Sequence, residues 1–287
     1  MSYAKPDALV STQWLADHLD DPAVRIIDAS YYLPAMKKSG RTEFEAKHIP
    51  GAVFFDIDDI SAEGMDLPHM MPSPEKFSAK VRQLGIGDGV KVVVYDQFGL
   101  MSAARAWWML RVFGHRDVAV LDGGLPKWLA EGRAVAAGPS QAEEKHFTAR
   151  PNEALLRRVD QVKANLDSKA AQIVDARSAG RWRGEEPEVW PGRKGRIPGS
   201  LNVPFTDLLN PEDKTVKPAE ALRARFTEAG VDLNKPIVAS CGSGVTACVL
   251  ALGLYLVGRD DVAVYDGSWA EWGKRDDTPV AVGAAVG

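Results

Sequence analysis

The sequence predicts an α/β fold of two tandem domains, each a parallel sheet flanked by helices. Two observations carry that expectation. The first is a repeat: DVAVLDGGLPKW at 117–128 returns as DVAVYDGSWAEW at 261–272, a displacement of 144 in a chain of 287 residues. RIIDAS, with Asp28, likewise matches QIVDAR, with Asp175, and HIPGAVFFDI from His48 matches RIPGSLNVPF from Arg196, in the same order. The second is that each half alternates short β-branched runs with longer amphipathic stretches, the pattern of parallel strands covered by helices.

Taken in order, 24–29, 52–56, 91–96 and 117–122 read as strands of the first half, with helices between them. Ser73, Pro74 and Glu75 read as the N-cap, first-turn proline and acidic first turn of a helix that ends near Gly85. The second half repeats this at 217–230. The stretch 136–153 is rich in Ala, Pro, Glu and Lys without helical or strand period and reads as a linker. The halves then run over 1–140 and 155–287, each large enough to bury its own core.

Composition narrows the function. With 45% hydrophobic and 26% charged residues the chain is neither disordered nor of low complexity. A net charge of −4 is too weakly acidic to favour nucleic acid or an anionic membrane as partner. Lys5, Pro6 and Asp7 interrupt the apolar stretch that an export signal needs, so none is expected. The segment 236–258 has no charged residue and is about long enough to span a bilayer. Pro236 and the run Gly242, Ser243, Gly244 argue instead for a buried strand, a tight turn and a buried helix. Its counterpart in the first half carries Asp96, Arg105 and Arg111, which would be costly in lipid. The two cysteines, Cys241 and Cys248, have neither a disulfide framework nor metal-ligand spacing, so a reducing cytoplasm and no metal are the default.

Aligning VVVYDQFG on IVASCGSG sets Asp96 opposite Cys241, each at the C-terminal end of a central strand, where open α/β sheets carry ligands. Gly242, Ser243, Gly244, Val245 and Thr246 follow Cys241 and lead into an apolar helix. Two glycines let successive N–H groups turn toward one spot, and the helix adds its positive end. Such a concavity suits a thiolate or a persulfide anion. Cysteine phosphatases and arsenate reductases need an arginine six residues after the cysteine; Ala247 stands there, which disfavours phosphoryl chemistry. Cys248 lacks such a turn and reads as a small buried hydrophobe. Trp107, Trp108, Trp128, Trp269 and Trp272 read as core, Asp122 and Asp266 as backbone partners in the DG turns, and His48 as structural.

The duplicated halves, the HIPGA and RIPGS segments, the DGG and DGS turns and CGSGVT resemble the two-domain rhodanese superfamily over almost the whole chain, and within it the branch that uses 3-mercaptopyruvate. The resemblance implies two rhodanese-like domains, a catalytic second one, a first that has lost its cysteine, and a substrate cleft between them. It implies a sulfurtransferase in which Cys241 takes sulfur from 3-mercaptopyruvate and passes it, as a persulfide, to a thiol or to cyanide. The thiol would be a thioredoxin-like protein or a small molecule, and no metal or organic cofactor is needed. Gly242, Gly244, Val245 and Thr246 would contact substrate. Similar enzymes carry a proton relay, which falls here on Ser243, His69 and Asp58; the alternative is that Ser243 bonds only its own turn and His69 is structural.

Similar enzymes also grip a carboxylate with two arginines. In GRWRGEEPEVWPGRKGRIPG, Arg181 matches the first and Trp190 stands in place of the second. Either Arg181 holds the carboxylate alone, or Arg193 or Arg196 is displaced into the gap. Uncharged Gly242 and Ser243 favour a mono-anionic donor. Two other readings stay open: a thiosulfate-preferring enzyme, and a non-catalytic rhodanese-like binding module, for which an aspartate at the nucleophile position, as in the first half, would suffice.

Overall fold

The computed structural model describes residues 2–284. Strands β1 (Leu9–Val10), β2 (Val24–Asp28), β3 (Val53–Phe54), β4 (Lys91–Tyr95) and β5 (Val118–Leu121) form one sheet in the order β1-β5-β4-β2-β3. Strands β6 (Leu156–Arg157), β7 (Gln172–Asp175), β8 (Leu201–Asn202), β9 (Ile237–Ser240) and β10 (Ala263–Tyr265) form a second in the equivalent order β6-β10-β9-β7-β8. All strand pairs are parallel. The first sheet carries α1 (Thr12–Asp17), α2 (Gly40–Ala46), α3 (Ile57–Ile60), α4 (Pro74–Gln83), α5 (Ala103–Val112) and α6 (Gly124–Ala130). The second carries α7 (Val159–Ser168), α8 (Ala179–Arg183), α9 (Ala219–Glu228), α10 (Ala247–Leu256) and α11 (Ser268–Trp272).

The central strands are covered on both faces, as parallel strands between helices must be, and all four residues of β9 are buried. Ser73 caps α4 by accepting from the Lys76 amide at 3.2 Å, with Pro74 in the first turn, as its sequence predicts. The edge strands β1 and β6 were not anticipated, because two residues carry no readable period. Strand β3 is shorter than the expected run because the Asp56 carboxylate accepts from the Asp59 amide at 3.3 Å and starts α3. Residues 137–152 form no helix or strand, yet they are held along the first sheet's helices. His146 and Phe113 carbonyls accept from the amides of Asp88 (3.2 Å) and Arg150 (2.9 Å), and Phe147 is buried beside Phe77.

Helices α5 and α10, which follow the two equivalent loops, face one another between the sheets. Every residue of the two is buried except Arg111 and Tyr255, and those stack with 4.1 Å between guanidinium and ring. One hydrophobic cluster runs through both halves, and a smaller one lies on the outer face of each sheet. The Tyr3 hydroxyl donates to the carbonyls of Val216 (3.1 Å) and Lys217 (2.9 Å), tying the N-terminal segment to the second half. The uncharged segment is β9, a loop and α10, whose ten residues reach only about 15 Å, half a bilayer core. Among the described residues no helix is long and apolar enough to cross a membrane.

Candidate active site

Strand β9 ends at Ser240 and delivers Cys241 to the floor of a cavity of about 220 Å³ between the halves. Tyr31, Leu33 and Met101 line it from the first half; Arg177, Arg181, Trp190, Phe205, Cys241, Gly242, Ser243, Val245 and Thr246 line it from the second. The loop shape is set from behind. The carbonyls of Cys241 and Gly242 accept from the Trp269 (3.0 Å) and Ala270 (2.7 Å) amides in the first turn of α11. The Cys241 amide donates to the Ser268 hydroxyl at 3.1 Å, and that hydroxyl lies 4.0 Å from the thiol sulfur. With their carbonyls fixed outward, Gly242 through Thr246 are left with amide N–H groups that find no acceptor within the described protein. Such a row of unpaired donors is an anion cradle.

The first half shows this cradle filled by the chain itself. The Asp96 carboxylate, at the place of Cys241, accepts from the amides of Phe98 (2.8 Å), Met101 (2.7 Å) and Ala103 (2.8 Å). Burial pushes that carboxyl's pKa up while the amides pull it down. In the second half the loop is one residue shorter and the cysteine sulfur stops short of the donors, leaving them to whatever extends from it.

Ser243, His69 and Asp58 do come together. Ser243 Oγ lies 3.0 Å from His69 Nδ1, and His69 Nε2 lies 3.2 Å from the exposed carboxylate of Asp58. His69 is buried, and its backbone takes the left-handed φ of +59°, unusual for a residue with a side chain. Arg105, wholly buried on α5, holds that conformation. Its guanidinium donates to the carbonyls of His69 and Gly244 and to Asp266 Oδ1 at 2.8 Å. The other oxygen of Asp266 accepts from the Met71 amide at 2.7 Å. Arg105 and Asp266 thus fix the relay segment of one half against the cysteine loop of the other.

Gly244, Arg193 and Arg196 stand elsewhere than the resemblance implies. Gly244 does not line the cavity: with φ at +79° it serves the turn, and a Cβ there would stand 2.6 Å from the Asp266 carbonyl. Arg193 and Arg196 do not complete a carboxylate grip either. Arg193 gives its donors to the Trp272, Gly273 and Arg275 carbonyls and the Thr278 hydroxyl, so it pins the C-terminal segment. Arg196 is buried, stacks on Trp182 at 4.1 Å and donates to the carbonyl of Gly283 at 2.6 Å.

Arg181 alone of the three reaches the cavity. It is shared with residues that sequence reasoning missed: Glu188 accepts from Arg181 (2.6 and 3.1 Å) and from Arg177 (2.7 Å), and Arg177 is also paired with Asp175 at 2.6 Å. Burial works against the Arg177 charge, but Asp175, Glu188 and the neighbouring Cys241 hold its pKa above the ordinary value. The signal for Arg177 lay in the repeat, since the equivalent position of the first half is Ser30. Cys248 is buried on α10, its thiol donating to the Gly244 carbonyl at 3.2 Å, and burial pushes its pKa up to about 12. It takes no part in the cavity.

The rhodanese-like domain family matches residues 11–131 and again 158–275. The chain is similar to human 3-mercaptopyruvate sulfurtransferase, 48% identical over 275 residues that cover 93% of this chain and 92% of that one. It is similar to rat thiosulfate sulfurtransferase at 46% identity over 278 residues, with 93% and 92% covered. Among solved structures it resembles SseA from Escherichia coli, described as a 3-mercaptopyruvate sulfotransferase of the rhodanese fold, with a TM-score of 0.84, 42% identity, and 91% of this chain and 98% of that one covered.

Proposed function

Because the chain belongs to the rhodanese-like domain family and carries the domain twice, we propose that it is a sulfurtransferase taking sulfur from 3-mercaptopyruvate. The observation that carries this reading is the Cys241 thiol on the floor of a cavity, beside a row of amides with no protein acceptor. In the first step the thiolate attacks the donor's sulfur, the carbon–sulfur bond breaks, and its electron pair leaves as the enolate of pyruvate. The unpaired amides then stabilise the negative terminal sulfur of the persulfide, as the Asp96 carboxylate is stabilised in the first half. Ser243, backed by His69 and Asp58, is placed to hand a proton to the enolate carbon or to take one from an incoming thiol. In the second step an acceptor thiolate, on a small molecule or a thioredoxin-like protein, or cyanide, attacks the terminal sulfur and restores Cys241.

Thiosulfate is the second reading, since relatives bear that name. A doubly charged donor finds Arg177 and Arg181 already matched by Asp175 and Glu188, which favours the singly charged one. Both cysteines are free thiols, and we place the protein in a reducing cytoplasm, where thiols persist. The deciding experiment is intact mass after incubation with 3-mercaptopyruvate alone. One added sulfur on Cys241 and one pyruvate released per chain are expected; pyruvate without the adduct, or neither, rejects the mechanism.

A further inference from the structure

Gly242 follows the nucleophile, and its φ lies outside the left-handed region, so its backbone does not require glycine. What the bare Cα allows is the close approach of two donors. A Cβ on Gly242 would stand 3.1 Å from Arg181 Nη2 and 3.4 Å from Trp190 Nε1. Two N–H donors from the 181–190 segment therefore converge on the bare face of the residue next to Cys241.

Both retain capacity. Arg181 has five N–H donors and gives two of them, on Nε and Nη2, to Glu188, so three remain. The Trp190 indole N–H has no acceptor in the described protein, and its ring is steadied edge-on against His69 at 5.7 Å. The local charge is already balanced, with Arg177 and Arg181 against Asp175 and Glu188. A neutral second donor adds a hydrogen bond without adding charge.

We infer that Trp190 is a specificity-determining residue: its indole N–H and the Arg181 guanidinium form a seat over Gly242 for one carboxylate of the substrate, and the ring walls the seat against a second charge. This rests on the donor reading above and extends it to Trp190 and Gly242, which hold a single negative charge beside the reacting sulfur.

The seat can be tested apart from turnover by alkylating Cys241 with iodoacetate, which carries a carboxylate, and with iodoacetamide, which does not. The ratio of the two rate constants, taken relative to free cysteine, is expected to favour iodoacetate. Trp190→Phe keeps the ring and removes the donor, and should lower the ratio roughly tenfold, the loss of one hydrogen bond to a charged group. Gly242→Ala, which fills the seat, should lower it as well, and the iodoacetamide rate reports in each variant whether the loop is intact. A wild-type ratio no higher than that of free cysteine, or a ratio unchanged in both variants, overturns the proposal. A normal ratio pattern in an enzyme that releases no pyruvate from 3-mercaptopyruvate rejects the donor and supports the seat. In turnover, Trp190→Phe should raise KM for 3-mercaptopyruvate by a similar factor with kcat little changed; a fall confined to kcat also overturns it.

Discussion

Ser243 Oγ faces His69 at the cavity wall, so Ser243→Ala should lower kcat for pyruvate release by about a hundredfold and change KM little. A pure rise in KM would make the hydroxyl a substrate holder instead. Among the described residues the Arg193 side chain binds only the C-terminal segment, so Arg193→Ala should leave KM within twofold and cost about 1–2 kcal/mol of stability, read as a lower Tm. The cysteine loop was legible because a glycine-rich turn after a strand is a local signal. The direction of a long side chain is not local. Arg193 and Arg196 fall within reach of the gap by spacing, yet their guanidinium groups turn to carbonyls near residues 272–284, which no pattern within their own segment encodes. Glu188, which joins two arginines, was hidden for the same reason.

Turns and strand ends carry the next layer. The DG turns of the two halves do equivalent work across the interface: Asp266 accepts from Met71, and Asp122 accepts from the Val216 amide at 2.8 Å. Burial raises the Asp122 carboxyl to about 6, against its ordinary value of 3.8. The folded protein therefore binds this proton more tightly than the unfolded chain. The favourable contribution is complete below about pH 4 and is lost as pH rises through 6. Asp122→Asn, whose amide oxygen still accepts from Val216, should raise stability at pH 7.5 by about 1–2 kcal/mol. It should also flatten the pH dependence of urea unfolding between pH 4 and 6; an unchanged slope would show that Asp122 ionises normally. The sequence pattern points each aspartate at the backbone of its own turn; the carboxylates instead accept from Met71 and Val216 in the opposite half, which nothing within the turn encodes. The strands and helices themselves were legible by period wherever four or more residues carried it. The two-residue edge strands β1 and β6 escaped.

At the scale of the molecule, the repeat makes two sheets and the loops after β4 and β9 make them one body. Among the described residues Arg105 is buried with a single carboxylate, Asp266, for its charge. Asp266→Ala would strand that cation, at a cost of about 3–5 kcal/mol, and should detach the relay segment from the loop. Calorimetry should show one cooperative transition for the wild type and a lower, broader or split one for the variant. An unshifted single transition would show that the pair does not couple the halves. The repeat announced two domains; that they share a core through α5 and α10 was less visible, since α10 reads from sequence as apolar on every face and so names no partner. This shared core has a kinetic consequence. Opening the halves like a hinge would bare the apolar faces of α5 and α10 and break the Arg105–Asp266 pair, so the cavity keeps its width through the cycle. Donor and acceptor must use the cavity in turn. Pyruvate has to leave before the acceptor enters, and a surplus of either reactant blocks the passage of the other, so each should inhibit competitively against its successor at high concentration.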